Sequence, residues 1–277
     1  MPPLLPPYFD TLIAARRAGQ AGRHVHLGYW DEPPPLHIPP ASGEFEAAQT
    51  RLTERVIGLV PLHAGQSVLD VACGFGGTLA AIDARLKGVA LTGLNIDLRQ
   101  LNLCRGAVKR PGNSLALVTA DACALPFPDA AYDHVFCVEA MFHFPSRQIF
   151  LTEAARVLRP GGMLAVTDIL LRRPMAGAPG TEAIAATIRR DYGPWPEPWI
   201  EAEAIQDIAR HAGLLVVRSE DWSGATLPSY RTIAPAKPGQ PPGQPPGRPL
   251  SAGDVFRWLH GNGWLGYRMF LFRRRPG

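Results

Sequence analysis

The stretch VLDVACGFGGTLA, residues 68–80, constrains this chain more than any other. Val68, Leu69 and Val71 form a short apolar run that reads as a buried strand, Gly74, Gly76 and Gly77 follow it, and Thr78 to Leu86 has the Ala/Leu/Ile content of a helix. Glycines at such a turn leave bare backbone for a ligand to lie against and allow φ values that a side chain forbids. Asp70 at the strand end can accept from a cation or a hydroxyl. The turn therefore predicts a nucleotide-type pocket. Two phosphate-binding versions are disfavoured: Leu79 stands where the dinucleotide fingerprint needs its third glycine, and Gly76-Gly77-Thr78 lacks the lysine of a phosphate loop. Taken alone, the glycines discriminate weakly, and a tight turn that binds nothing is the plain alternative.

The chain beyond the turn narrows the choice. Strands read at 67–71, 90–95, 115–119, 132–138 and 163–170 alternate with helices at about 77–87, 98–109 and 147–158, which is the rhythm of a parallel, doubly wound α/β sheet. Ligands in such sheets bind beyond the C-terminal strand ends. The second strand ends in GLNIDLRQ, residues 93–100, and Asn95 lies about twenty residues past the glycine turn, where a side chain would meet ribose hydroxyls. Asp97 with Gln100 three positions later reads as a capping pair for the next helix. After the third strand, Asp121 can accept from an exocyclic amine while the backbone N–H of Ala122 donates to a ring nitrogen.

The flanks differ from this core. Residues 8–20 and 44–60 read as amphipathic helices separated by HVHLGYW at 24–30 and a proline run at 33–35, so residues 1–60 are expected to form a helical cap over a core at 61–171. Residues 172–277 supply lid segments and the last two strands, at 214–220 and 264–274, with helices at 201–212 and 251–261. Residues 172–200 carry too many prolines and glycines for a sheet strand, and 222–250 read as irregular, with the low-complexity PGQPPGQPPGRP at 238–249 as an extended, mobile loop. At 277 residues the chain can bury a full core, and 46% hydrophobic residues fit a soluble globular protein. A net charge of +4 with scattered Lys and Arg, clustered only at Arg273–Arg275, argues against a nucleic-acid footprint. Cys73, Cys104, Cys123 and Cys137 lack metal-binding spacing and are expected to be buried free thiols, with no metal. MPPLLPP has neither a cationic start nor a long apolar run, so no signal peptide or membrane span is expected and a cytoplasmic location is.

Together, DVACGFGG, GLNID, DACALPFPDAAYDHV, an acid and a His after the fourth strand, and EAARVLRPGGMLAVTD resemble the class I S-adenosylmethionine-dependent methyltransferases. The likeness is to the small-molecule branch that includes sterol, tocopherol and natural-product methyltransferases, and it extends to HVHLGYW. The chain departs from the family at Ala72, where a glycine usually stands, and at Asn95, where an acid is common. The resemblance implies a mostly parallel seven-stranded Rossmann-like sheet with an antiparallel last strand. It places Asp70, Ala72, Gly74 and Gly76 around the amino-acid end of S-adenosylmethionine, Asn95, Ile96 and Gln100 at the ribose, and Asp121 with Ala122 at the adenine. Tyr29 would close over the cofactor from the cap, with a cap–core aromatic as its alternative.

The chemistry is expected in VEAMFHF, residues 138–144. Methyl transfer from a sulfonium is an in-line displacement; the protein aligns the partners, excludes water and removes the acceptor's proton. His143 titrates in the right range for a base, and Asp168 at the end of the fifth strand could hold its imidazole in the useful tautomer, as the resemblance to sugar O-methyltransferases implies. Glu139 is the competing acid, matching a glutamate that faces the reacting centre in sterol-like relatives and also a candidate cofactor contact. All six tryptophans lie outside 67–171, which suggests a lid that grips an aromatic, polyketide or isoprenoid acceptor, or one that packs on itself. The expected activity is O-methylation ahead of C-methylation of a hydrophobic small molecule in secondary metabolism, with a homodimer left open. A cofactor-binding cyclase or binding protein of the same fold, and N-methylation or methylation of nucleic acid or protein, are the alternatives.

Overall fold

The computed structural model describes residues 5–38, 40–109, 111–173, 181–235 and 251–276. In chain order these form α1 (Tyr8–Arg17), α2 (Glu44–Ile57), β1 (Ser67–Val71), α3 (Gly77–Arg85), β2 (Ala90–Asn95), α4 (Leu98–Cys104), β3 (Ser114–Thr119) and β4 (Tyr132–Val138). Then come α5 (Arg147–Val157), β5 (Leu158–Leu171), α6 (Thr181–Tyr192), α7 (Ala202–His211), β6 (Leu214–Asp221), the short α8 (Ser223–Thr226) and α9 (Tyr230–Ile233), α10 (Ala252–Gly261) and β7 (Leu265–Arg274). The loop expected at 238–249 lies outside the described residues.

The strands make one open seven-stranded sheet in the order β3-β2-β1-β4-β5-β7-β6. β1 pairs parallel with β2 (Val68 opposite Leu91) and with β4 (Val68 opposite His134), so the winding reverses at β1. β7 runs antiparallel between β5 and β6, as expected. Apolar side chains cover both faces. One face packs Leu52 and Val56 of α2, Leu79 and Ile82 of α3, Ile188 of α6 and Leu259 of α10. The other packs Phe150, Leu151 and Ala154 of α5 with Ile205 and Ala209 of α7. Central strands buried on both faces are mostly apolar, so β1, β2 and β4 fall where their apolar runs predict, with Asp70, Thr92, Asn95 and His134 as buried polar exceptions.

Several elements differ from the sequence expectation, among them the short α8 and α9, which lie in a stretch read as irregular. β5 starts at Leu158 because Tyr132 pairs with Leu158 across a register shift, drawing Arg159–Gly162 into the strand. Gly162 is required there: a Cβ would stand 2.8 Å from the carbonyl oxygen of Asp133. α4 stops at Cys104, two residues before Gly106. α6 lies where irregular chain was expected; its glycines and prolines flank a helical stretch whose Ala185 and Ile188 are buried. No described helix is long and apolar enough to cross a membrane.

Candidate functional site

At the point where the sheet reverses, the C-terminal ends of β1, β2, β3 and β4 open into a cleft lined by Ala72, Gly74, Asn95, Ile96, Gln100, Asp121, Ala122, Glu139 and His143, with Tyr8, Phe9 and Val25 over it. The sequence builds each wall locally. Asp97 caps α4, its carboxylate accepting from the Arg99 N–H at 2.9 Å. That cap orients the preceding loop, so the Asp97 N–H donates to Asn95 Oδ1 at 2.9 Å and Asn95 Nδ2 lies 3.4 Å from Gln100 Oε1. Asp121 turns one oxygen inward to the Cys123 N–H at 2.8 Å.

The glycine turn divides its work. Gly74 has φ +54° and lines the cleft; a Cβ there would meet Val25 Cγ2 at 2.8 Å. Gly74→Ala is therefore expected to cost about 1–2 kcal/mol of stability in denaturant unfolding, whereas Gly106→Ala, with open space around it, should cost far less. Equal costs would show that the turn tolerates a side chain. Ala72 itself sits at φ +58°, the left-handed region that explains the glycine usual in the family. Gly76 differs from expectation. It lines neither the cleft nor the adjoining recess, and its Cβ would strike Cys104 Sγ and Ala107 Cβ, at 2.6 and 2.7 Å, so the close approach of the chain at the end of α4 accounts for the glycine. Asp70 lines a small adjoining recess with Ala72, Thr78 and His24. Only 2% exposed, it bonds Thr78 and leaves Oδ2 without a partner. Tyr29 does not line the cleft: it packs edge-on against Trp222 with the Arg55 guanidinium 4.1 Å over its ring. Tyr8, Phe9 and Val25 occupy the covering position assigned to it.

A second cavity of about 870 Å³ lies beside the cleft, lined by residues of α1, the 20–27 segment, α2, α6 and α10. Tyr8, Val25 and Glu139 line both. Aromatic lining comes from Tyr8, Phe45, Tyr192, Tyr230 and Phe256; none of the tryptophans takes part. They pack within the lid and between lid and cap, Trp195 on Trp199 and Phe256, and Trp222 on Tyr29.

Glu139, at φ +53°, is fixed by its N–H donating to Thr167 and by Oε2 accepting the Leu27 N–H at 2.8 Å. Burial pushes its carboxyl up to about 8, and that of Asp70 to about 8 as well. Both bind their proton more tightly folded than unfolded, so the stability they contribute is complete below the ordinary carboxylate pKa of about 4, declines as pH rises, and is gone above about 8. Burial lowers His24 and His143 to about 4 and His26 and His260 to about 3, which acts in the opposite sense, but only below their ordinary value of 6.5. Between pH 6.5 and about 8 the acids stand alone, and the melting temperature of the cofactor-free protein is expected to fall, with a flatter slope in Glu139→Gln. A melting temperature that rises across that window would contradict these environments.

His143 is held from both sides. Its Nδ1 lies 2.8 Å from the carbonyl oxygen of Pro194, which can only accept, so Nδ1 carries the proton and Nε2 the lone pair. The Tyr8 hydroxyl, 3.0 Å from Nε2, is then the donor. Tyr8, His143 and Tyr192 are stacked in one aromatic group. Asp168 does not supply the expected partner. It is fully buried and paired with the equally buried Arg147 at 2.8 Å, while its other oxygen accepts the Ile169 N–H. Arg147 reaches on to the carbonyl oxygen of Glu197 at 3.0 Å, in the segment that also carries Pro194. Sequence reasoning missed Tyr8, Val25, Arg147 and Pro194; Val25 stands inside HVHLGYW, the other three in no motif, and only the fold brings them to the strand ends.

A family profile described as a methyltransferase domain matches residues 69–166. The 27-O-demethylrifamycin SV methyltransferase of Amycolatopsis mediterranei is 36% identical over 77% of this chain and 74% of its own. Among solved structures, geranyl diphosphate C-methyltransferase from Streptomyces coelicolor, in complex with geranyl diphosphate and S-adenosyl-L-homocysteine, superposes with a TM-score of 0.72 at 16% identity, covering 98% of this chain and all of that one. The [4+2]-cyclase SpnF gives 0.68 at 23% identity, covering 98% and 94%. These two structures share the fold.

Proposed function

The chain belongs to the class I S-adenosylmethionine-dependent methyltransferases of small-molecule type, and from that premise we propose that it methylates a hydroxyl of a hydrophobic natural-product acceptor, with His143 as general base. The enzyme uses S-adenosylmethionine. The residues at the strand ends fit that group: an orphaned buried Asp70 oxygen suits its amine, bare backbone at Ala72 and Gly74 its amino-acid end, Asn95, Ile96 and Gln100 its ribose, and Asp121 with Ala122 its adenine. When bound, it supplies an electrophilic methyl group on a sulfonium. Everything else falls to the chain's own side chains. The covering residues of α1 and the 24–27 segment exclude water.

The observation that carries the proposal is the wall common to the two cavities, where Tyr8 donates to the lone pair of His143. The acceptor hydroxyl passes its proton to Tyr8 as Tyr8 passes its own to Nε2, and Glu139 on the same wall, once ionised, offsets the positive charge arriving at the imidazole. Burial lowers His143 to about 4, below the range expected from the sequence; this keeps it neutral at physiological pH and makes it a weaker base than a free imidazole. An O-methylated acceptor matches the name of the rifamycin-pathway relative, and a cavity of about 870 Å³ accommodates a large apolar molecule.

The test is incubation of the enzyme with methyl-labelled cofactor and a pool of hydroxylated polyketides and phenols, followed by mass spectrometry. A product heavier by one labelled methyl on oxygen supports the proposal. Methylation on carbon or nitrogen, or a cofactor recovered intact while an acceptor isomerises, would replace it.

A further inference from the structure

The large cavity has a second polar contact point, in the 20–27 segment. His24 and His26, two residues apart in the 20–27 segment, both reach Thr53 in α2, and both line the cavity. The direction of every hydrogen bond in this chain is forced from one end. The carbonyl oxygen of Leu27 can only accept, so His26 Nδ1, 2.7 Å away, carries a proton. His26 is neutral, since burial lowers it to about 3, and its Nε2 therefore bears a lone pair. The Thr53 hydroxyl, 3.0 Å from that nitrogen, must donate to it. Its single proton spent, the Thr53 oxygen can only accept from His24 Nδ1, also at 3.0 Å. His24 is thus an Nδ1–H tautomer whose Nε2 keeps its lone pair. Thr53 is fully buried and Gln49, bonded to the His26 carbonyl at 2.7 Å, braces the same segment, so the array is rigid.

We propose that His24 is a specificity residue of the acceptor cavity: Nε2 accepts a hydrogen bond from a hydroxyl on the acceptor other than the one methylated, and Thr53 is the positioning residue that fixes the tautomer. The proposal rests on the cavity being the acceptor site, as proposed above. The electrical character of the wall narrows the ligand further. Among the described residues lining the cavity there is no lysine or arginine, while Glu46, Glu139 and Asp191 bring carboxyls. With both histidines neutral, nothing there compensates an anion. The cavity therefore takes an uncharged apolar molecule with at least two hydroxyls, and rejects phosphorylated or carboxylated ones, in contrast to the geranyl diphosphate in the complex of its structural neighbour.

Three matched probes test this by calorimetry on the full chain, with and without S-adenosylhomocysteine: 2-naphthol, 2-methoxynaphthalene and 2-naphthoate. The naphthol is expected to bind about five- to tenfold more tightly than the ether, the value of one hydrogen bond, and the naphthoate more weakly than either. Thr53→Val, which keeps the shape and removes both bonds, and His24→Phe should each bring the naphthol down to the ether's affinity while the ether binds as before. Imidazole nitrogen NMR supplies a second measurement, with His24 Nε2 unprotonated in the wild type. A naphthol preference that survives both variants, tight binding of the naphthoate, or a protonated Nε2 overturns the proposal. Failure of the methyl-transfer assignment would show separately, as loss of S-adenosylhomocysteine binding with the naphthol comparison intact.

Discussion

Replacing His143 with alanine is expected to lower kcat by about 10²–10⁴-fold, the range for removal of a positioned general base, while the affinity for S-adenosylmethionine changes by less than about threefold. The two effects separate because the contacts proposed for the cofactor come from the strand ends, whereas His143 Nε2 is engaged by Tyr8 and Nδ1 by Pro194. Tyr8→Phe should produce a smaller loss, since the lone pair on Nε2 survives and can take the acceptor proton directly. Single-turnover rates and equilibrium cofactor binding, measured on the same preparations, check both. Turnover within a factor of three of wild type in His143→Ala would mean that the proton leaves by another path, and Glu139 would be the next group to replace.

The second large effect concerns stability. Asp168 and Arg147 are each fully buried and paired at 2.8 Å, linking β5 to the start of α5. Removing either partner leaves an uncompensated charge in the interior, so Asp168→Ala and Arg147→Ala should each destabilise the fold by about 3–5 kcal/mol. For a chain of this size that corresponds to a melting temperature lower by roughly 6–15 °C. Replacing both at once, Asp168→Leu with Arg147→Met, should recover much of the loss, since a well-packed apolar pair removes the stranded charge. Scanning calorimetry of the three variants decides it. A single variant that melts within about 2 °C of wild type would show the pair to be dispensable. Because Arg147 also holds the carbonyl of Glu197, three residues beyond Pro194, the single variants should slow turnover even at temperatures where they stay folded.

The contrast between these residues marks how far the sequence was informative. β1, β2 and β4 fall where their apolar runs predict, because a central parallel strand buried on both faces leaves little choice of residue at either end. Asp97 caps α4 as expected, accepting from the Arg99 N–H, but the reciprocal half of the pair does not form, since the Asp97 N–H donates to Asn95 and Gln100 faces Asn95 as well. Asn95, Gln100, Asp121 and Ala122 converge on one cleft because the strand order brings consecutive strand ends together. What spacing could not express is pairing across long stretches of chain. Asp168 and His143 both stood at plausible ends of neighbouring strands, but the buried carboxylate required a charge partner, and Arg147, sitting inside α5, satisfies it. Tyr8, 135 positions from His143, carries no motif around it. The tryptophan distribution was compatible with gripping a ligand or packing the lid, and composition holds no information that separates the two.

The lie of α1 has a kinetic consequence. Tyr8 bonds to His143 and Asp10 to Arg99, so the helix is tied by one contact on each side of the cleft it covers. As it lies, the space beneath amounts to about 110 Å³, below the roughly 300 Å³ at which pockets for organic ligands begin. On the proposed assignment of the cleft to S-adenosylmethionine, α1 has to shift to admit it, and Arg99→Ala, which frees Asp10, is expected to speed cofactor association in stopped-flow binding. The tyrosine proposed to relay the proton is thus also one of the two ties that hold this helix over the cleft.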